Sequence, residues 1–92
     1  MNQNDLFRLG RDYRSLVDIL TTEIVFFGSP NKPDELKQQH LASQNLSETV
    51  SRFMANTEQF PDVGAVQEAK GWVQARYAEY ETVVAPYVLK PG

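Results

Sequence analysis

The feature that most constrains this chain is a long series of apolar residues at helical spacing near its amino end. Apolar side chains recur every three or four positions for about six turns: Leu6, Leu9, Tyr13, Leu16, Val17, Leu20, Ile24 and Phe27. On an α-helix this spacing brings them all to one side. Asn4 or Asp5 can cap the start, and Gly28 followed by Pro30 is a typical stop. The pattern predicts a first helix over about residues 5–27.

A second helix is predicted to begin near Pro33, because Asp34 and Glu35 then fall in its first turn, where the helix dipole favours negative charge. Its apolar positions are Leu36, Leu46, Val50, Phe53, Met54 and Phe60. We expect one helix over about residues 33–58, and the polar segment "SQNLS" at residues 43–47 is where a break would fall. Polar side chains also lie on its core-facing side and need hydrogen-bond partners such as the tyrosine hydroxyls of the next helix; they are Gln39, Ser43 and Ser47.

A third helix is predicted over about residues 62–85, since Pro61 and Asp62 form a start signal and Pro86 ends or kinks a helix. Its apolar positions are Val63, Val66, Val73, Tyr77, Tyr80, Val84 and Tyr87. An apolar C-terminal tail, "YVLKPG", follows. No sustained alternation of apolar and polar residues predicts a strand. The expected fold is all-α: one domain, residues 1–92, forming an antiparallel three-helix bundle.

The segment "EIVFFGSP" at residues 23–30 contains four large apolar side chains in succession, which cover most of the circumference of a helix. One packed face is not enough to bury them, and we expect the C-terminal tail to cover part of the excess. Ile19 and Phe26 lie beside the core-facing side of the first helix, and Phe7 lies nearly opposite it. We expect all three side chains to face outwards, with Ile19 and Phe26 forming a contact patch beside Tyr87 or Leu89.

The third helix carries small residues opposite its valines and tyrosines, namely Gly64, Gly71, Ala75, Ala78, Thr82 and Ala85. A glycine inside a helix costs about 1 kcal/mol relative to alanine, which favours a close approach of another helix at Gly71. The alternative is that alanines simply make a good exposed helix. The full set of expected protein-interface residues is Phe7, Ile19, Phe26, Leu41, Gly71, Trp72, Ala75 and Ala78.

Composition excludes several functional classes. The 92 residues include no cysteine, so disulfides, thiolate nucleophiles and cysteine-based metal sites are excluded. A net charge of −3 argues against a nucleic-acid partner, which would require a surplus of lysine and arginine. We recognise no signal peptide and no membrane-spanning stretch, and we expect a cytoplasmic protein without a membrane partner.

Catalysis has little support in the sequence. His40 is the only histidine, and no strained nucleophile turn of the G-x-S-x-G type is present. Glu79 and Glu81 are two positions apart and therefore point to different sides of a helix. We predict no catalytic residues, no metal site and no cofactor, and we expect His40 to be a partly exposed structural residue.

Two groups of basic residues allow an alternative to protein binding through apolar surfaces, namely the binding of an anionic partner or ligand. Arg8, Arg11 and Arg14 lie on the outer side of the first helix, where Asp12 and Asp18 can each neutralise one of them at i+4. This favours a solvated face, with docking of an acidic surface or anionic ligand as the alternative. A nucleotide-like ligand would instead be held by stacking and charge, using Arg11, Lys70, Arg76, Tyr77 and Tyr80.

The leading hypothesis is a non-enzymatic interaction protein that self-associates and binds another protein as an adaptor, chaperone or inhibitor. Small, acidic, cysteine-free domains of this kind are typical of bacteria and their phages. The second hypothesis is a protein that binds or sequesters a small nucleotide-like or anionic metabolite at a subunit junction.

Overall fold

The computed structural model describes residues 3–88, which form four α-helices and one short 3-10 helix. These are α1 (Gln3–Gly28), α2 (Asp34–Ala42), α3 (Leu46–Thr57), α4 (Gly64–Val84) and the 3-10 helix Ala85–Tyr87. No residue from 3 to 88 is in a strand, so the all-α prediction is confirmed. The predicted count of three helices is wrong, because the second predicted helix is two separate helices, α2 and α3.

The break between α2 and α3 falls within the polar segment 43–47. Ser43 directs its hydroxyl back to the carbonyl oxygen of His40 at 2.8 Å, and Asn45 precedes the first turn of α3. The side-chain amide of Asn45 donates to the carboxylate of Glu48, one turn into α3. Short polar side chains that bond the nearby backbone compete with helix continuation, so this segment ends one helix and starts another.

The three longer helices pack against one another, and their contacts establish their directions. Tyr13 in the first half of α1 meets Trp72 in the first half of α4, with 6.0 Å between the ring centres, whereas Phe27 and Tyr80 meet near the ends of these helices, also at 6.0 Å. These two helices therefore run parallel. The α3 helix runs the opposite way, since Tyr13 also stacks on Phe53 near the middle of α3, at 6.2 Å, and the start of α3 lies beside the end of α4.

The core consists of one apolar cluster contributed by these helices and by Phe60 in the connection to α4. Its buried members are Leu9, Leu16, Leu20, Phe27, Leu46, Val50, Phe53, Phe60, Val66, Val73, Tyr80 and Val84. Two residues of the predicted apolar sides remain exposed instead, Leu6 at 38% and Leu36 at 42%. Each lies in the first turns of its helix, where fewer neighbouring elements are available to cover it.

The α2 helix is held both by polar contacts and by packing of Leu41 against the core. Its one buried residue is Lys37, which is 4% exposed. The ammonium group of Lys37 donates to the carbonyl oxygen of Ser29 at 2.7 Å and to the hydroxyl of Tyr87 at 3.1 Å. Tyr87 also lies 5.9 Å from Phe27, so the 3-10 helix after α4 covers part of the apolar end of α1. The rest of the predicted tail, residues 89–92, lies outside the described residues.

Among the helices that the structure describes, none is both long enough and apolar enough to cross a bilayer.

Candidate functional site

We consider two concave surfaces of the described chain as candidate binding sites. The first, which we name the α1/α4 groove, has a volume of about 340 Å³ and lies between the first turns of α1 and α4. Its lining is apolar or aromatic throughout: Leu6, Leu9, Gly10, Tyr13, Phe53, Val63, Ala65, Val66 and Ala69.

Small residues create this groove. Gly10 on one wall and Ala65 and Ala69 on the other carry little or no side chain. A Cβ built at Gly10 would meet nothing within 4 Å, so the space beside it is open. Two helices with bulky side chains at these positions would close the gap; here the backbone itself is accessible to an approaching molecule.

The rim of the groove on the α1 side combines apolar and basic side chains. Phe7 is 73% exposed, and together with Gly10, Arg11 and Arg14 it lines a second concavity of about 310 Å³ that shares Gly10 with the groove. Neither arginine takes part in any ion pair within residues 3–88.

The local neutralisation expected from the sequence is therefore not found. Arg8 does not pair with Asp12, and Arg14 does not pair with Asp18, within the described part of the chain. All four residues are exposed, so water competes effectively for each charge and i,i+4 spacing alone provides only a few tenths of a kcal/mol.

The second concave surface, which we name the tyrosine cleft, has a volume of about 490 Å³ and lies between the α2–α3 connection and the end of α4. It is lined by Leu41, Gln44, Leu46, Ser47, Tyr77, Tyr80, Glu81, Val84, Ala85 and Val88. Among the described residues of this lining there is one carboxylate and no lysine or arginine.

A chain of polar side chains connects the cleft to α1. The hydroxyl of Tyr80 donates to Oε1 of Gln44 at 2.7 Å, and Nε2 of Gln44 lies 3.0 Å from Nε2 of His40. The same imidazole nitrogen lies 2.7 Å from Oε2 of Glu23. With a proton on Nε2, His40 donates to Glu23; in the other neutral tautomer that nitrogen accepts from Gln44.

The environment keeps the cleft tyrosines protonated. Burial, and then the nearby charge of Glu23, raise the pKa of Tyr80 to about 12. Burial and Glu81 also raise the pKa of Tyr77, against a hydrogen bond to Ser47 that lowers it. At neutral pH both groups are uncharged hydroxyls able to donate and accept hydrogen bonds.

The residues predicted for a protein interface are distributed over several surfaces. Phe7 lies on the rim of the groove, and Ile19, 37% exposed, lies further along α1. Three others are half-buried and pack against the core: Phe26, Leu41 and Trp72. The small residues of α4 are exposed: Gly71, Ala75 and Ala78. A Cβ added at Gly71 would meet nothing within 4 Å, so nothing in the described chain uses the close approach that glycine permits.

The residues predicted for a ligand site are not brought together. Lys70 pairs with Glu58 at 3.2 Å, and Arg76 pairs with Glu79 at 2.7 Å. Arg11 belongs to the rim of the groove. The remaining two, Tyr77 and Tyr80, share the cleft, and their rings stack at 5.8 Å.

The sequence predicted that Gln39, Ser43 and Ser47 need hydrogen-bond partners such as the tyrosine hydroxyls. Ser47 does hydrogen-bond Tyr77, whereas Gln39 is exposed and the hydroxyl of Ser43 donates to the carbonyl oxygen of His40. The bond from Tyr80 to Gln44 was not predicted. The break at residues 43–45 redirects the chain, so the faces of a continuous helix do not describe where these side chains lie. The contact between His40 and Gln44 could have been predicted from their four-residue spacing. No sequence signal indicated the bond between Gln44 and Tyr80.

Within residues 3–88 no group of three or more histidine or acidic side chains is placed to hold a metal ion. Comparison with protein-family models, with curated proteins and with solved structures found no match to this chain.

Proposed function

We propose that this protein is a non-enzymatic interaction module that binds another protein, as an adaptor, chaperone or inhibitor, and that self-associates through exposed apolar and small-residue helix faces. The observation that carries the proposal is the continuity of apolar surface at the start of α1. Leu6 and Phe7 are 38% and 73% exposed, and Leu6 is itself part of the apolar α1/α4 groove. A contiguous apolar patch on a small protein is typical of an interaction surface, unlike a single exposed apolar residue.

The outer face of α4 supports the self-association part of the proposal. Gly71, Ala75 and Ala78 are exposed, and no residue from 3 to 88 covers Gly71. Helices approach each other most closely where small residues face the partner. Contacts with a second copy that packs on this face would offset the entropic cost of a glycine within the helix.

Sedimentation velocity over a wide concentration range tests this function. We expect a concentration-dependent oligomer that is weakened by Gly71→Leu. Val25→Ser is the matched control, since Val25 is an exposed apolar residue of α1, at 67%, but lies outside both the groove and the α4 face. A monomer at every concentration would exclude self-association, and equal weakening by Val25→Ser would show nonspecific association.

The tyrosine cleft favours a second candidate function, a small-ligand binder. The cleft offers two tyrosine hydroxyls, an amide and the hydroxyl of Ser47 beside apolar side chains, a composition typical of ligand pockets. Because Glu81 contributes the one charge among the described lining residues, a neutral or cationic aromatic ligand matches the cleft better than an anionic metabolite.

A thermal-shift screen distinguishes these ligand classes. A ligand present at about 100 times its Kd adds roughly 2.7 kcal/mol to the stability of the folded state. We expect stabilisation by neutral or cationic aromatic compounds that is lost in Tyr77→Phe. Stabilisation by nucleotides instead would support the anionic class, and no shift with any compound would leave protein binding as the one function proposed.

A further inference from the structure

We propose that the α1/α4 groove binds an amphipathic helix of a partner protein, and that this helix carries carboxylates along the flank that faces α1. The inference rests on the proposed interaction function and specifies its surface and the chemistry of its partner. Three properties of the groove support it: the shape of its floor, the charge of its α1 rim and the charge of its α4 rim.

The floor of the groove fits the apolar side of a helix. Leu9, Val66 and Phe53 come from three different helices, so the groove lies over the point where α1, α3 and α4 meet. Gly10 and Ala69 on the walls leave the backbone accessible. An amphipathic helix in an apolar groove is a common mode of protein recognition, and its residues at i, i+3, i+4 and i+7 enter the groove as anchors.

The α1 rim selects for negative charge. Arg11 and Arg14 stand beside Phe7 and Gly10, and neither forms an ion pair within residues 3–88. A partner helix that buries Phe7 would also bring its flank within reach of both guanidinium groups. Arginine binds carboxylates through paired hydrogen bonds, so glutamate or aspartate on that flank would provide the partner the two arginines lack.

The α4 rim has the opposite charge. Glu68 is exposed and follows Ala65 by three positions, which places it one turn along α4 near the same side. A carboxylate on this flank of the partner would be repelled. The partner helix is therefore acidic on one flank and neutral or basic on the other.

A second copy of this chain is a poorer occupant. Its three longer helices already bury their apolar sides in their own core, through residues such as Leu16, Val50 and Val73. The remaining helix, α2, is short and buries a lysine rather than apolar residues. No helix of the described chain is therefore free to offer an unused apolar side to the groove.

A designed peptide pair tests the proposal by fluorescence anisotropy with the full chain. The first peptide is helical, with leucines at i, i+3, i+4 and i+7 and glutamates along one flank; the second replaces those glutamates with lysines. We expect the acidic peptide to bind and the basic peptide not to bind, and we expect the affinity to fall as salt increases. Trp72 provides an internal signal, because it packs against Tyr13, a lining residue of the groove.

Variants of the protein sharpen the test. The double change Arg11→Gln with Arg14→Gln should lower the affinity for the acidic peptide by roughly threefold to tenfold, as expected for the loss of two surface ion pairs. Arg8→Gln is the matched control on the same helix, since Arg8 lines a different concavity with Asn56 and should leave the affinity unchanged. Gly10→Trp should abolish binding without unfolding the protein, because the space around Gly10 is open.

Each other outcome overturns the proposal. Equal binding of both peptides would show an apolar groove without charge selection, and binding of neither would exclude a helix from the groove. Loss of self-association in Gly10→Trp together with no peptide binding would assign the groove to a second copy. The proposed function has an independent readout. Self-association that depends on Gly71 but not on Gly10 would support an interaction protein even if the groove binds no acidic helix.

Discussion

Tyr80 on α4 donates a 2.7 Å hydrogen bond to Oε1 of Gln44, a residue 36 positions earlier in the connection between α2 and α3. This bond joins the end of α4 to the place where the second predicted helix breaks. Nε2 of Gln44 in turn lies 3.0 Å from Nε2 of His40 on α2, the nitrogen that is 2.7 Å from Oε2 of Glu23 on α1, so polar side chains of α1, α2 and α4 lie together around this connection.

Removal of the Tyr80 hydroxyl should therefore destabilise the fold without a change of packing. We expect Tyr80→Phe to lower the free energy of unfolding at pH 7 by about 1 kcal/mol, because Gln44 loses a partner in a half-buried place. Urea denaturation followed by far-UV circular dichroism measures this change. The double variant with Gln44→Leu should recover part of the loss, and strictly additive losses would contradict a direct coupling.

The raised pKa of Tyr80 predicts a loss of stability in alkali. The folded value is about 12 against 10 in the unfolded chain, so between these pH values the folded state binds more protons. The contribution of this group is fully present below pH 10 and declines as pH rises towards 12, at up to about 1.4 kcal/mol per pH unit. Unfolding free energies across this range should fall less steeply in Tyr80→Phe, and identical slopes would exclude the assignment.

Glu23 contributes to this shift through its negative charge, which disfavours a second anion nearby. Glu23→Gln should therefore lower the pKa of Tyr80 towards its ordinary value, although burial, the larger cause, keeps it raised. Absorbance titration near 295 nm, compared with the same titration of Tyr80→Phe, isolates this group from the other tyrosines. Glu81→Gln is the matched control and should act on Tyr77 instead. An unchanged titration in Glu23→Gln would contradict the electrostatic contribution.

Lys37 should contribute measurably to the docking of α2. Lys37→Met keeps the apolar stem but removes the donor to the carbonyl oxygen of Ser29 and to the hydroxyl of Tyr87. We expect a loss of about 1–2 kcal/mol, since the desolvation cost of the ammonium group offsets part of two charged hydrogen bonds. The exposed Lys32→Met is the control and should lie within about 0.5 kcal/mol of the wild type. A more stable Lys37→Met protein would show that desolvation dominates.

Substitution of Gly71 should have opposite effects on the stability of the monomer and on self-association. Because a Cβ there meets nothing within 4 Å, Gly71→Ala should stabilise the monomer by about 1 kcal/mol in denaturant unfolding at low protein concentration. If the α4 face is an interface, the same change should weaken self-association in sedimentation experiments. Destabilisation of the dilute protein would indicate a contact that the described chain does not contain.

The periodicity of apolar residues was sufficient to predict the all-α fold, because burial on one side of a helix needs only the spacing of side chains along the chain. The core positions Leu9, Leu16 and Leu20 on α1 and Val66 and Val73 on α4 follow directly from that spacing and are buried. The end of α4 at Val84, just before Pro86, also follows from local chemistry, since proline removes a backbone donor.

The helix break and the contacts between helices depend on tertiary packing and cannot be predicted from the spacing of apolar residues. Whether the chain breaks at Ser43 depends on a competition between local side-chain bonds and helix continuation, and the partner of Gln44 lies far away in sequence. The burial of Lys37 and the openness beside Gly10 likewise depend on how closely whole helices approach. Periodicity identifies which side of a helix is covered, whereas the gaps and polar contacts between helices arise only when all of them are assembled.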